Sequence, residues 1–320
     1  MRRFLITGGC GFIGSHLHDR LTAAGHAVRV IDDLSSGHRR NLPSQADVLV
    51  GDINDAALLR QALDGVDGCF HLAAIASVER GVADWLGTHR TNLTGTIAIF
   101  DAIRRLGRPV PVVYASSAAV YGDCPTLPIT EDATPRPLSA YGADKRGCEL
   151  HALVASHGFG IPTFGLRFFN VYGPRQDPKS PYSGVISIFC DRLRRGEPVD
   201  VYGDGEQTRD FVFVADIVEA LVRAMDRAGE APQSIRAPAE VMNVCTGVPV
   251  SVRNLADTIA SLLGHTPTIR FAPPRAGEIR HSTGAPERVR ATLGLGEPVA
   301  LRDGLAQTLA WLDQTAEQPA

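Results

Sequence analysis

The chain opens on a short apolar run, Phe4 to Ile6, followed by Thr7 and two glycines. A run of that length closed by glycine fits a buried strand entering a turn. HLHDRLTAAG (16–25) then carries apolar positions at helical spacing and a stop at Gly25. HAVRVID is a second apolar strand, ending at Asp32. The alternation continues. ADVLVGDI (46–53) predicts a strand ending in Asp52, and GCFHLAA (68–74) one ending in small residues. TNLTGTIAIFDAIRR predicts a helix starting near Asn92, and VPVVYASS (110–117) a further buried strand. Strands this apolar, alternating with helices, imply a parallel sheet covered on both faces. Ligands of such sheets sit beyond the carboxyl ends of the strands, where Ser116 and Ser117 fall.

The later chain alternates less regularly. GVISIFCDRLRRG is a helix with Val185, Ile188, Phe189 and Leu193 as its apolar stripe and Arg192 at the stripe's edge. DFVFVADIVEALVRAMDRAG (210–229) reads as strand then helix, GEAPQSIRAPAE as a polar surface connection and EVMNVCTG as a strand. SVRNLADTIASLLG has Ser251 to cap a helix and Gly264 to stop it. Residues 290–295 and 301–312 suggest closing helices, and the last seven residues a frayed end. The expected organisation is a nucleotide-binding domain of residues 1–169 plus about 210–245, interleaved with a smaller lobe of about 170–209 plus 246–320.

Chemistry enters with the first turn. Gly8, Gly11 and Gly14 carry the spacing GxxGxxG between strand and helix, and Asp32 ends the next strand 18 residues beyond Gly14. Glycines let the backbone turn sharply beside a pyrophosphate, and the helix's free N–H groups face that anion. An acid at the end of the second strand accepts from an adenosine ribose. Asp32, with Asp33 beside it, would repel a 2′-phosphate, so the expected cofactor is NAD rather than NADP. Downstream, Tyr141 and Lys145 stand four residues apart, on one face of a helix. A tyrosine beside an ammonium and an oxidised nicotinamide can act as a base, with Ser117 holding the substrate hydroxyl in line.

Composition excludes more than it selects. Hydrophobic residues are 44% and charged residues 21% of the chain, and the net charge of −3 offers no footing for a nucleic acid. No apolar run has the length of a membrane span. The apolar stretch near the start is too short for a secretory signal, and the six cysteines are scattered without a CxxC pair. The expectation is a cytoplasmic protein with reduced thiols and no metal site.

The segments GGCGFIGSH, DDLSSG, GDI, HLAA, SSAAVYG, YGADK, RFFNVYGPRQ, GDGEQTRDFVFVADI and PPRAGE together resemble the extended short-chain dehydrogenase/reductases, in the nucleotide-sugar epimerase and dehydratase family. The resemblance covers nearly the whole chain. It implies a Rossmann-type α/β fold, tightly held NAD, a UDP-sugar substrate and a homodimer. It assigns Ser117, Tyr141 and Lys145 to catalysis. To the cofactor it assigns Gly8, Gly11, Phe12, Ile13, Gly14, Asp32, Asp33, Leu34, Ser36, Gly37, Asp52, Ile53, Leu72, Ala73, Ala74, Asn92, Ser116 and Phe168, together with Tyr141 and Lys145. To the substrate it assigns Asn170, Tyr202, Arg209, Arg275 and Glu278 beside Ser117 and Tyr141, with the arginines on the diphosphate and the acid on the uridine ribose.

Three reactions compete on such a chain. Dehydration needs an acid and a base after the active-site hydroxyl, and Ala118 and Ala119 stand there instead. Epimerisation at C4 through a 4-keto sugar needs neither. The whole-chain resemblance is closest to bacterial UDP-glucuronate 4-epimerases, that of moenomycin biosynthesis among them. On that reading Ser183, Gly184 and Val185 offer helix-start donors to a sugar carboxylate, and Arg192 reaches it; the alternative for Arg192 is a solvated helix face. UDP-glucose or UDP-N-acetylglucosamine is the second substrate expectation and decarboxylation the third. An NAD-binding regulatory protein without catalysis is the contrasting reading, and retention of Ser117, Tyr141 and Lys145 argues against it.

Overall fold

A computed structural model describes residues 1–76, 78–178, 180, 184–230, 237–274 and 278–316. The first half alternates strand and helix: β1 (Arg3–Thr7), α1 (Phe12–Ala23), β2 (Ala27–Asp32), β3 (Asp47–Val50), α2 (Ala56–Ala62) and β4 (Gly68–His71). Next come α3 (Val78–Ala83), α4 (Trp85–His89), α5 (Gly95–Arg104), β5 (Val112–Ser117), α6 (Ala140–Phe159) and β6 (Thr163–Phe168). The remainder holds β7 (Asn170–Tyr172), α7 (Val185–Arg194), β8 (Val199–Tyr202), β9 (Thr208–Phe213), α8 (Val214–Gly229) and β10 (Ala239–Val244). It closes with β11 (Pro249–Ser251), α9 (Val252–Leu262), β12 (Ile269–Ala272), β13 (His281–Ser282), α10 (Glu287–Leu293) and α11 (Leu301–Ala316).

Seven strands form one parallel sheet in the order β10-β6-β5-β4-β1-β2-β3. Alternate residues of each strand serve opposite faces. Phe4 and Ile6 of β1 enter a core with Leu17 and Leu21 of α1 and Leu221 and Met225 of α8. Leu5, between them, enters the other core with Leu59 of α2, Ile99 and Ile103 of α5 and Cys148 and Ala152 of α6. This is the Rossmann-type α/β fold that the alternation implies. A smaller lobe joins β11, β9 and β13, with β7 also on β9, and a separate parallel pair, β12 and β8. Its core gathers Phe189 and Leu193 of α7, Leu255 and Ile259 of α9 and Leu305 and Leu309 of α11.

α6 sets the site. Ser139 caps it, its side chain accepting from Gly142 N, and Gly160 ends it in the left-handed region at φ 66°. Tyr141 therefore sits in the first turn and Lys145 one turn on. Ser251 caps α9 in the same manner, accepting from Asn254 N.

Several boundaries differ from the sequence expectation. α1 starts at Phe12, inside the glycine motif, rather than near His16. The helix expected from Asn92 starts at Trp85, capped by Asp84, and passes through a π-turn at Arg90–Thr94. β9 belongs to the small lobe's sheet, because its partners are β7, β11 and β13, so residues 210–213 leave the nucleotide-binding side. α10 packs on α8 and β10, on the large sheet's side. Residues 231–236 of the polar connection, and the last four residues of the frayed end, lie outside the described residues.

Candidate active site

A cavity of about 350 Å³ opens beyond the carboxyl ends of β1, β2, β4, β5 and β6. Gly8, Gly11, Phe12, Ile13 and Gly14 form its floor. The glycines are required by close approach. A Cβ on Gly14 would lie 2.3 Å from Gly8 O, and one on Gly8, itself at φ +71°, would lie 2.8 Å from the Ala73 backbone. Gly11 is the N-cap of α1 and offers no side-chain cap, so the first-turn N–H groups are left for an anion. Asp32 is buried; Oδ2 accepts from Cys10 N and Oδ1 from Leu34 N, both at 2.9 Å. Burial raises its carboxyl above the ordinary value, with Asp33 adding to the rise, while those two N–H groups oppose it. Asp33, Ser36, Gly37, Asp52, Ile53, Leu72, Ala73 and Ala74 also line the cavity. A glycine floor, an uncapped helix start and an acid at the end of β2 suit a dinucleotide.

At the far end of the same cavity stand Ser116, Ser117, Tyr141, Lys145 and Phe168. Lys145 is buried, donates from Nζ to Ala115 O at 2.9 Å and lies 5.8 Å from the Tyr141 ring centroid. Ser117 Oγ accepts from Ala119 N at 3.1 Å. Burial, reinforced by the Lys145 charge, pushes His71 down to about 3, so its neutral ring bridges Thr7 and Thr96. Beneath the serines lies a buried ion pair. Arg167 gives Nε and Nη2 to the two oxygens of Glu149 at 2.7 and 2.8 Å. Glu149 also accepts from Ser116 Oγ at 2.7 Å and Arg146 Nη1 at 2.8 Å. Arg167 Nη1 donates to Tyr121 Oη, which in turn donates to Asn243 Oδ1. The network ties β5, β6, β10 and α6 together directly behind Ser117.

A second group of predicted residues gathers on the small lobe. Asn170 opens β7, paired with Phe211 of β9. Arg209 of β9 reaches Glu278 at 3.3 Å and donates to its neighbour's carbonyl, Thr208 O, at 2.8 Å. Burial lowers the Arg209 pKa, and Glu278 opposes that shift. Tyr202 ends β8. Gly184 is the N-cap of α7, without a side-chain cap, and Val185 its first residue. Ser183 and Arg275 lie outside the described residues.

A model of the NAD dependent epimerase/dehydratase family matches residues 4–245. The chain belongs to that family. A UDP-glucose 4-epimerase of Mycolicibacterium smegmatis is 39% identical over 313 residues, 96% of this chain and 97% of that one. The UDP-glucose 4-epimerase of Thermotoga maritima, solved with UDP-glucose, superposes with a TM-score of 0.91 at 35% identity, covering 98% of this chain and all of that one. MoeE5, solved with NAD and either UDP-glucose or UDP-glucuronic acid, is 34% identical and covers 98% of this chain, with TM-scores of 0.85 and 0.84. The protein is an NAD-binding enzyme.

In this epimerase/dehydratase, Leu34, Asn92 and Arg192 do not line the cavity, and neither do Asn170, Gly184, Val185, Tyr202, Arg209 and Glu278 on the small lobe. Leu34, at φ 58°, turns its side chain to the hydrophobic core and meets the cavity only through Asp32. Asn92 is fully buried outside the cavity wall. It clasps Ile75, accepting from its N–H at 2.8 Å and donating to its carbonyl at 3.1 Å, and Ile75 lines the wall. Arg192 is a correction of a different kind. Its guanidinium is held by Asp200 at 2.6 Å, with Pro198 O at 3.4 Å, and it does not line the cavity. Asp200 on β8 lies within reach of the turn that follows α7, which the stripe of α7 alone does not reveal. Conversely, His38, Asn41, Thr91, Arg175, Gln176 and Asp177 line the cavity without having been singled out. The segment quoted as RFFNVYGPRQ held the signal for two of them.

Proposed function

We propose that this enzyme epimerises a UDP-sugar at C4, through a 4-keto intermediate, with NAD retained between turnovers. One observation supports the reading above the others. Ser117, Tyr141 and Lys145 converge at one end of a cavity whose other end has the dinucleotide pattern, and the residues after Ser117 are Ala118 and Ala119. Bound NAD supplies an acceptor, and later a donor, for the C4 hydride. Tyr141 Oη takes the O4 proton and returns it, Ser117 Oγ holds O4 in line, and Lys145 puts positive charge where the tyrosine oxygen becomes negative. With two methyl groups in place of an acid and a base, elimination of the C6 hydroxyl has no proton shuttle. Asn170, Arg209, Tyr202, Glu278 and Arg275 are the proposed anchor for the nucleoside diphosphate, leaving the sugar free to turn over and present its other face.

For the sugar, a neutral hexose is the leading reading, with UDP-glucose and UDP-galactose as the pair. Arg192, the residue expected to reach a uronate's carboxylate, is engaged by Asp200. UDP-glucuronate remains the second reading, supported by the uncapped start of α7 at Gly184 and Val185, which offers N–H donors to a carboxylate. Incubation with each nucleotide sugar, followed by proton NMR, tests both. UDP-galactose from UDP-glucose supports the first, UDP-galacturonate from UDP-glucuronate the second, and no C4 epimer from either of these or from UDP-N-acetylglucosamine would overturn the epimerase reading.

We also propose a homodimer. Ile97 of α5 and Leu150, Leu153 and Val154 of α6 are exposed on neighbouring helices, the last three at i, i+3 and i+4 spacing on one face. A second copy covering this face would bury it. Light scattering at the mass of a monomer would refute the dimer.

A further inference from the structure

A chain of buried polar groups runs behind the cavity wall, from β1 through β4 to α5 and α6. The segment after β4, Leu72 to Ala76, lines the cavity. Its backbone is held from behind. Leu72 N donates to Thr7 O at 3.1 Å, and Ala73 N to Thr7 Oγ1 at 3.2 Å. Asn92 clasps both the N–H and the carbonyl of Ile75. His71 lies between these two holds. Its Nδ1 meets Thr7 Oγ1 at 2.7 Å, and its Nε2 meets Thr96 Oγ1 at 2.9 Å. Thr96 Oγ1 in turn donates to Asn92 O at 2.6 Å. Cys148 of α6, in the turn after Lys145, gives its thiol to the same carbonyl at 3.3 Å. Thr7, His71, Asn92, Thr96 and Cys148 are all buried.

The hydrogens along this chain can be assigned. Each hydroxyl has one to give. That of Thr96 goes to Asn92 O, so Thr96 Oγ1 accepts from His71 and the ring carries its hydrogen on Nε2. Nδ1 is then bare and accepts the Thr7 hydrogen, which leaves a lone pair of Thr7 Oγ1 for Ala73 N. With the ring hydrogen on Nδ1 instead, the Thr7 hydrogen would lose its acceptor, and a buried polar group without a partner is costly. An imidazolium, which only donates, would strand Thr7 in the same way. Burial, with the Lys145 charge adding, keeps the ring neutral. Donation therefore runs one way, from Ala73 to Asn92, and both ends return to the cavity wall.

We infer that His71 is a positioning residue: as its Nε2–H tautomer it holds the cavity wall, residues 72–76, in register with α6, which carries Tyr141 and Lys145. His71 does not line the cavity and acts through Ala73 and Ile75. The wall has little slack on its other side, where a Cβ on Gly8 would lie 2.8 Å from the Ala73 backbone. The inference rests on the family's NAD and on no choice of reaction or sugar, so a failed substrate assay leaves it standing.

Two measurements test it, and neither needs turnover. The first is the nitrogen NMR spectrum of enzyme with isotope-labelled histidine and its NAD in place. His71, assigned by the signal that changes in Thr7→Val, should show a protonated Nε2 and a bare Nδ1 at pH 7. A hydrogen on Nδ1, or on both nitrogens, overturns the proposal. The second is the release rate of NAD, read by displacement with excess fluorescent etheno-NAD. Thr7→Val keeps the side chain's shape and removes only the hydroxyl between His71 and Ala73, so it should release NAD about tenfold faster. Thr7→Ser keeps the hydroxyl and loses a methyl, so it should release NAD at the wild-type rate although its thermal midpoint falls. A role in stability alone would make release follow the midpoint in both variants. Wild-type release from folded Thr7→Val, or equal acceleration in Thr7→Ser, overturns the proposal. Thr96→Val, which cuts the chain on the other side of His71, replaces Thr7→Val if that variant does not fold.

Discussion

Glu149→Gln isolates the contribution of charge behind the active site. The Glu149 side chain is 1% exposed and that of Arg167 4%, so neither has water to fall back on. The carboxylate accepts four hydrogen bonds, two from Arg167 and one each from Arg146 and Ser116. An amide of the same shape keeps one acceptor oxygen, turns an N–H toward donors on the other side and strands the guanidinium. Removing one member of a buried ion pair costs about 3–5 kcal/mol. At roughly 2 °C per kcal/mol for a chain of this size, the midpoint of thermal unfolding should fall by about 6–10 °C.

The pH dependence of that difference follows from the sign of the Glu149 shift. Burial pushes its pKa up, but the hydrogen bonds and charge of Arg167, with Ser116 and Arg146, prevail and hold it below the ordinary value. A carboxyl depressed in the folded state contributes stability in full above its unfolded value, about 4.3, and loses it as pH falls through the lower folded value. The gap between wild type and variant should therefore be flat from about pH 6 to 8 and narrow only below about pH 4. Differential scanning fluorimetry across that range reads both. A midpoint within 2 °C of wild type at neutral pH, or a gap that closes between about pH 6 and 8, would refute the reasoning.

Other expectations follow from the same geometry. Tyr141→Phe, which removes the proton-carrying oxygen, should lower kcat by about 100- to 10,000-fold while the protein still holds NAD, measured by turnover and by NAD content. Gly8→Ala places a Cβ 2.8 Å from the Ala73 backbone at a φ of +71°, so it should lose NAD and several degrees of thermal midpoint. Retained NAD and an unchanged midpoint would show that the turn has room to yield. Arg209→Ala should raise KM for the nucleotide sugar by about tenfold or more without changing NAD content, and an unchanged KM would remove Arg209 from the diphosphate anchor.

Much of the large sheet could be read from local pattern because its strands are short apolar runs closed by glycine or acid. The helix ahead of Asn92 could not. Val82, Trp85 and Leu86 are all exposed, and Gly81 and Gly87 interrupt the stretch, so residues 80–89 present no clean apolar stripe. The start signal is Asp84, whose carboxylate caps the helix by accepting from Gly87 N at 2.9 Å. The placement of β9 was not local at all. Its sequence resembles a strand of either sheet, and only its pairing with β7, β11 and β13 decides.

For the site, the same division runs between what one segment contains and what two segments do to each other. Gly8 follows β1, Asp32 and Ser117 end β2 and β5, Tyr141 lies in the first turn of α6, and the parallel order of the sheet brings all such positions to one side. Their convergence follows from topology and needs no knowledge of pairings. Arg192 shows the opposite case. The buried face of α7 holds Ile186, Phe189, Cys190 and Leu193 rather than Val185 and Ile188, and Arg192 beside it turns to a carboxylate that its chain can reach, Asp200 on the adjacent strand.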